Sequence, residues 1–128
     1  MNLYHDNIID LYKHPLNQGS LKKPSVSYRA FSPLCGDDIT VDILITSNTV
    51  QDIKHRGVGC AISQASISLM TEESKGKTLD ELMRVTPDDL VEMLGVELGP
   101  VRLKCALLSL EAIHQAIQQF HSNPQNGN

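Results

Sequence analysis

Tryptophan is absent from this chain, and aromatic residues make up only 4% of it. Single-stranded nucleic acid is gripped by aromatic faces inside a basic groove. The basic groove is missing as well, since the net charge is −4 and the isoelectric point is near 5.6. Nucleic acid and anionic membrane surfaces are therefore excluded as partners. No apolar run approaches the ~20 residues of a membrane-spanning helix. The opening Met1-Asn2-Leu3-Tyr4-His5-Asp6 is neither basic nor apolar enough for a secretory signal, so the expected location is the cytoplasm. Cysteine is scarce too. Three cysteines, an odd count without short repeat spacing, do not make a disulfide framework; in a reducing compartment they point to thiol chemistry or metal.

What remains is ordinary for one soluble domain: 128 residues, 41% hydrophobic and 20% charged. The informative stretch is Ser32-Pro33-Leu34-Cys35-Gly36-Asp37-Asp38. Pro33 and Gly36 predict a turn, and a thiol and a carboxylate two residues apart can face one point. Thiolate with carboxylate is an acceptable pair for zinc or iron. Cys60, after Gly57-Val58-Gly59, and Cys105, after Arg102-Leu103-Lys104, each fall beside an expected helix start. There a positive partial charge favours a thiolate. Three lone cysteines and one aspartate form a four-ligand site only if the fold brings them together.

The patterning predicts that fold. Leu3, Ile8, Ile9, Leu11 and Tyr12 lie on helical spacing over residues 2–13, with Asp6 as N-cap, and Pro15 and Gly19 end the helix. Alternation at Val26, Tyr28 and Ala30 marks a strand over 25–31; Ile39, Val41, Ile43 and Ile45 mark a second, half-buried one. After a turn at Ser47-Asn48-Thr49, a third strand over 50–57 pairs back. Helices follow from Cys60 to about Glu73, from Thr78 to Met83 behind a capping-box signature, and after Thr86-Pro87. Residues 95–100 connect to the strongest amphipathic helix, marked by Leu103, Ala106, Leu107, Leu110, Ile113, Ile117 and Phe120. The expected architecture is α+β, a three-stranded antiparallel sheet covered by helices, with one domain over residues 1–121 and a flexible polar tail over 122–128.

Duller readings compete at each position. A lone cysteine is as often a small buried hydrophobe. Asp37 suits a turn cap, and Asp38 competes for the ligand role, although Asp37 shares strand parity with Cys35. His5, His14, His114 and His121 read as solvated, and His55 alone lies near a cysteine in sequence. Lys104, as an ammonium, has no lone pair for a metal; it is either a surface lysine or a charge that steadies a thiolate, together with Arg102.

Four motifs resemble the U-type iron–sulfur cluster assembly proteins, a family comprising IscU, SufU and the N-terminal domain of NifU. They are Ile9-Asp10-x-Tyr12-x-x-Pro15-x-Asn17-x-Gly19, Pro33-Leu34-Cys35-Gly36-Asp37, Gly57-x-Gly59-Cys60-Ala61-Ile62-Ser63 and Pro100-Val101-Arg102-Leu103-Lys104-Cys105. The resemblance runs from Tyr4 to about Phe120 and implies the SufE/NifU-like fold. It implies that Cys35, Asp37, Cys60 and Cys105 hold zinc, iron or a nascent [2Fe–2S] cluster. It also implies that a cysteine desulfurase delivers persulfide sulfur and that apo iron–sulfur proteins receive the product. Cys35 (by SufU analogy) and Cys105 (by IscU analogy) are the candidate persulfide acceptors, with Lys104 and Arg102 as electrostatic support. The chain departs from IscU-type members in having Lys104 where they have histidine. Leu98-Gly99-Pro100-Val101-Arg102 is an altered form of their chaperone-recognition segment, and the long insertion of typical SufU proteins is absent. The leading expectation is a scaffold or carrier rather than an enzyme. The alternatives are a zinc-dependent sulfurtransferase, and a protein with structural zinc that regulates a desulfurase by binding it.

Overall fold

The computed structural model describes residues 3–33 and 36–123, and side chains from residue 7 onward. In chain order the elements are α1 (Leu3–Lys13), β1 (Val26–Ser32), β2 (Asp37–Thr46), β3 (Thr49–Val58), α2 (Ala61–Ser74), α3 (Leu79–Met83), α4 (Pro87–Leu94) and α5 (Pro100–Ser122). The α+β expectation is met. The strands form one antiparallel sheet in the order β1-β2-β3, with Ala30 opposite Ile39 and Ile43 opposite Ile53. Helix α5 lies across β1 and β2, and α2 packs against α5, α1 and β3.

Alternation decides the sheet's inner face. Val26, Ala30, Ile39, Val41, Ile43, Val50 and Ile53 are all buried, and Ala106, Ile113, Ile117 and Phe120 of α5 close over them. The β2–β3 turn has two residues, Ser47 and Asn48, at φ of 52° and 59°, a type I′ turn whose twist matches the strands it joins. Both short helices start on capping boxes: Thr78 with Glu81, as the sequence predicts, and Thr86 with Asp89.

Four expectations need correction. Helix α1 already spans Leu3 onward, so Asp6 lies within it and not at its cap. Of its apolar residues only Ile8 and Leu11 are buried among those described, while Ile9 and Tyr12 face outward. Helix α5 starts at Pro100, whose missing N–H costs nothing at the first helical position, and so it absorbs the end of the expected connector. At its other end it runs through Ser122, where the tail was expected to begin.

On α2 the buried face carries Ser63, Ser66, Ser68, Thr71 and Ser74 beside Ala65, Ile67 and Met70. Ser66 Oγ donates to the Ile62 carbonyl, Thr71 Oγ1 to that of Ile67 and Ser74 Oγ to that of Met70. Burying these hydroxyls strands no donor, because the helix's own carbonyls satisfy them.

Candidate metal centre

Three segments distant in sequence converge where β2 begins. One oxygen of Asp37 and the sulfurs of Cys60 and Cys105 all lie within 4.8 Å of one another. Cys35 lies outside the described residues.

The first residue of the cluster is placed by a turn. Gly36, at φ +69°, donates its N–H to the Ser32 carbonyl over 2.8 Å and closes the β1–β2 connection, so that Ser32 and Asp37 form the first pair of the ladder. Asp37 has the parity of Ile39 and Val41 and is 1% exposed. Asp38 has the opposite parity. Its carboxylate accepts both forks of the Arg29 guanidinium, Nε at 2.8 Å, which holds its pKa below the ordinary carboxylate value. Thus the sheet's period of two sorts the neighbouring aspartates, one towards the cysteines and one towards Arg29.

Cys60 is the N-cap of α2: its Sγ accepts the Ser63 N–H at 3.4 Å. Its own N–H donates to Asp37 Oδ1 at 3.1 Å, and Asp37 Oδ2 lies 4.0 Å from its sulfur. One carboxylate oxygen is therefore anchored and the other is turned towards the thiol. The positive end of α2 adds a favourable field for any anionic group held there. Gly59 is required by close approach. A side-chain carbon there would sit 2.2 Å from Ser63 Oγ, 3.0 Å from Asp37 Oδ1 and 3.2 Å from Gln64 Nε2. That last atom is unusual. Gln64 is 8% exposed, and its Nε2 is buried with no hydrogen-bond partner among the described residues, at a cost of about 1–3 kcal/mol.

Cys105 is buried and occupies the sixth position of α5. The expected helix-start effect does not reach it, because the field of a helix end fades within one turn; Cys60 alone has that position. The two cations part company as well. Arg102 is exposed on a groove of about 920 Å³ lined by Cys60, Cys105, Ile8, Ile62 and Leu98. Lys104 faces a separate hollow with Phe31, Ser32, Pro33 and Glu111. No histidine joins the cluster among the described residues. His55, the nearest to a cysteine in sequence, is buried with its Nε2 2.7 Å from the Leu16 carbonyl. His114 Nε2 lies 2.8 Å from the Leu82 carbonyl.

The donor set can hold a thiophilic metal. Thiolates with one carboxylate suit zinc or iron, and a tetrahedral zinc keeps its ligand atoms roughly 3.3–3.8 Å apart. A spacing within 4.8 Å is closed by small side-chain movements.

A sequence profile of the NifU-like N-terminal domain matches residues 3–126. The chain belongs to that family. Among its relatives is the iron–sulfur cluster assembly scaffold protein IscU 1 of Archaeoglobus fulgidus, 33% identical over 118 residues, covering 92% of this chain and 76% of the relative. The iron–sulfur cluster assembly enzyme IscU of Drosophila melanogaster is 35% identical over 127 residues, covering 96% and 81%. A solved structure from Fervidobacterium islandicum, described as an iron–sulfur cluster assembly scaffold protein for the SUF system, superposes with a TM-score of 0.76. It is 27% identical and covers 88% of this chain and 94% of its own. Within this NifU-like domain, the residues that sequence reasoning missed around the cluster are Gly59, as a close-approach position, and Gln64. A polar residue one turn past a cysteine N-cap was the available signal.

Proposed function

We infer that this chain is an iron–sulfur cluster assembly scaffold of the cytoplasm. It takes sulfur from a cysteine desulfurase, builds a transient [2Fe–2S] cluster as cargo on Cys35, Asp37, Cys60 and Cys105, and passes it to apo proteins. The convergence of Asp37, Cys60 and Cys105 within 4.8 Å carries this reading. The scaffold relatives support it, and Cys35 enters through the resemblance of Pro33-Leu34-Cys35-Gly36-Asp37 to the family's first ligand motif. A carboxylate in the ligand set suits a cluster that must leave, whereas four thiolates would retain it. Sulfur arrives when a cysteine thiolate attacks the outer sulfur of the desulfurase persulfide; that S–S bond breaks and the desulfurase thiolate departs. Cys105 is only 4% exposed, which counts against it as the acceptor. Each acquired sulfur then needs two electrons from a separate donor to become sulfide.

A second reading is favoured by Lys104. It cannot ligate, which leaves three thiolates and one carboxylate, a set that suits resident zinc in a sulfurtransferase. In that case zinc would hold the same four residues and draw the cysteines towards thiolate. Anaerobic reconstitution with ferrous iron, cysteine and a desulfurase, with the protein's own metal left in place, separates the two. Cluster absorption and dichroism with iron retained after desalting support the scaffold. Retained zinc without a cluster, with faster desulfurase turnover, overturns it in favour of the sulfurtransferase.

A further inference from the structure

We propose that Gln64 is a positioning residue of the metal centre: its side-chain amide holds the Asp37 carboxylate in its metal-binding orientation. The proposal rests on the reading of this centre given above. Gln64 lies on the first turn of α2, more than nine-tenths buried, with Nε2 unpartnered among the described residues. Unpartnered buried donors are rare, and each needs a physical explanation such as strain, a functional role, a water or an ion. Here the partner is close at hand. Nε2 and Asp37 Oδ1 lie 3.2 and 3.0 Å from one point, the place of a side-chain carbon on Gly59; Ser63 Oγ, 2.2 Å from the same point, donates to the Cys60 carbonyl. Terminal amide torsions are broad, so Nε2 can turn towards the carboxylate without a rotamer change.

The geometry gives the two carboxylate oxygens different duties. Oδ1 already accepts the Cys60 N–H. A second donor from Gln64 fixes the carboxylate plane and leaves Oδ2, on the side of the Cys60 sulfur, for the metal. Partners that hydrogen-bond a ligating carboxylate orient it, and their loss costs ~10–100-fold in metal affinity. Met at this position keeps the length and burial of Gln64 but donates nothing.

The test uses zinc and cobalt(II) alone as probes, on the full chain. Zinc affinity is measured by competition with a chelating dye, cobalt absorption bands report ligand geometry, and the metal-free thermal midpoint reports folding. Gln64→Met is expected to bind zinc at least tenfold more weakly and to shift the cobalt bands. Its metal-free midpoint should equal or exceed that of the parent, because the orphaned donor is gone. In an Asp37→Ala background the same substitution is expected to change zinc affinity less than twofold, since Gln64 acts through Asp37. Gln64→Leu repeats the test should the Met variant fold poorly. Parent-like zinc affinity in Gln64→Met, or an equal loss with and without Asp37, overturns the proposal. If the parent itself binds neither metal, the reading of the centre fails and takes this proposal with it.

Discussion

The Cys60 N–H reaches Asp37 Oδ1 across 3.1 Å and ties the start of α2 to the start of β2. This bond belongs to the protein alone, so two of the cluster's side chains are in register before anything is bound. Pre-set ligands lose less freedom on binding.

Glycines 57 and 59 should respond differently to a methyl group. At Gly57, φ is +133° and a side-chain carbon would lie 1.9 Å from the Asp38 carbonyl oxygen, a backbone atom held in the β2–β3 ladder. Gly57→Ala is expected to cost about 3 kcal/mol or more by chemical denaturation. At Gly59 the obstacle is the Ser63 hydroxyl. Gly59→Ala should cost about 1–3 kcal/mol, and adding Ser63→Ala should restore most of it. A Gly57 loss no larger than the Gly59 loss would contradict this geometry.

Asp42 is buried on β2, where it accepts from Ser27 Oγ at 2.6 Å, Arg56 Nη1 at 2.8 Å and the Leu21 N–H at 3.0 Å. Burial pushes its pKa up, but these donors outweigh it and the net shift is downward. Asp42→Ala should destabilise the chain by roughly 2–3 kcal/mol, the upper part withheld because Arg56 remains partly solvated. Its folded pKa is depressed, so its contribution is complete above the unfolded value and fades as pH falls through the folded one. Urea titrations at pH 7 and below pH 4 should show the mutant's deficit shrinking in acid.

His55 governs a different pH window. Burial pushes its pKa below the ordinary 6.5; the Leu16 carbonyl pulls it partly back and Lys54 pushes it further down. The unfolded chain then binds a proton that the folded chain resists. Stability is complete above about pH 6.5 and declines as pH drops toward the folded pKa. The shifted carboxylates of Asp38, Asp42, Glu72 and Glu81 act below about 4.5, beneath the interval in which this ring changes charge. Urea midpoints in that interval should slope upward with pH in the parent and flatten in His55→Gln.

Exchanging the carboxylate for a thiolate should trap the cargo. On the scaffold reading, Asp37→Cys completes a four-thiolate set with Cys35, Cys60 and Cys105, so a reconstituted cluster is expected to pass to an apo acceptor about tenfold more slowly. Transfer followed by dichroism at parent-like speed would show that the carboxylate is not what makes the cluster leave.

The elements were legible in the sequence where a single periodicity or cap dominates. Ile39, Val41 and Ile43 alternate without interruption, and Thr78 with Glu81 announces its helix outright. Cys60 was legible for the same reason, because glycine followed by a capping side chain marks a helix start. Asp42 was not, since alternation assigns it to the solvent side and its partners Leu21 and Arg56 come from other segments. Gln64 was hidden because α2 buries hydroxyls instead of an apolar stripe, which leaves the hydrophobic period too faint to show which way the amide points. The dipole argument for Cys105 failed because Pro100 begins α5 a full turn earlier than the apolar pattern suggests.

The same buried hydroxyls bear on how the centre could change size. Ser63, Ser66, Thr71 and Ser74 donate to carbonyls at the N-cap or within α2, so their partners travel with the helix. The bonds α2 receives from outside at its far end, Leu16 N–H to Ser68 and Asn17 to Thr71, come from the loop after α1. Sliding α2 along α5 as a unit with that loop would disturb packing but strand none of these hydroxyls. Such a movement would still have to break the Cys60 N–H bond to Asp37 and the loop's backbone bonds to His55, so these ties, and not the hydroxyls, resist any change in the gap between Cys60 and Cys105.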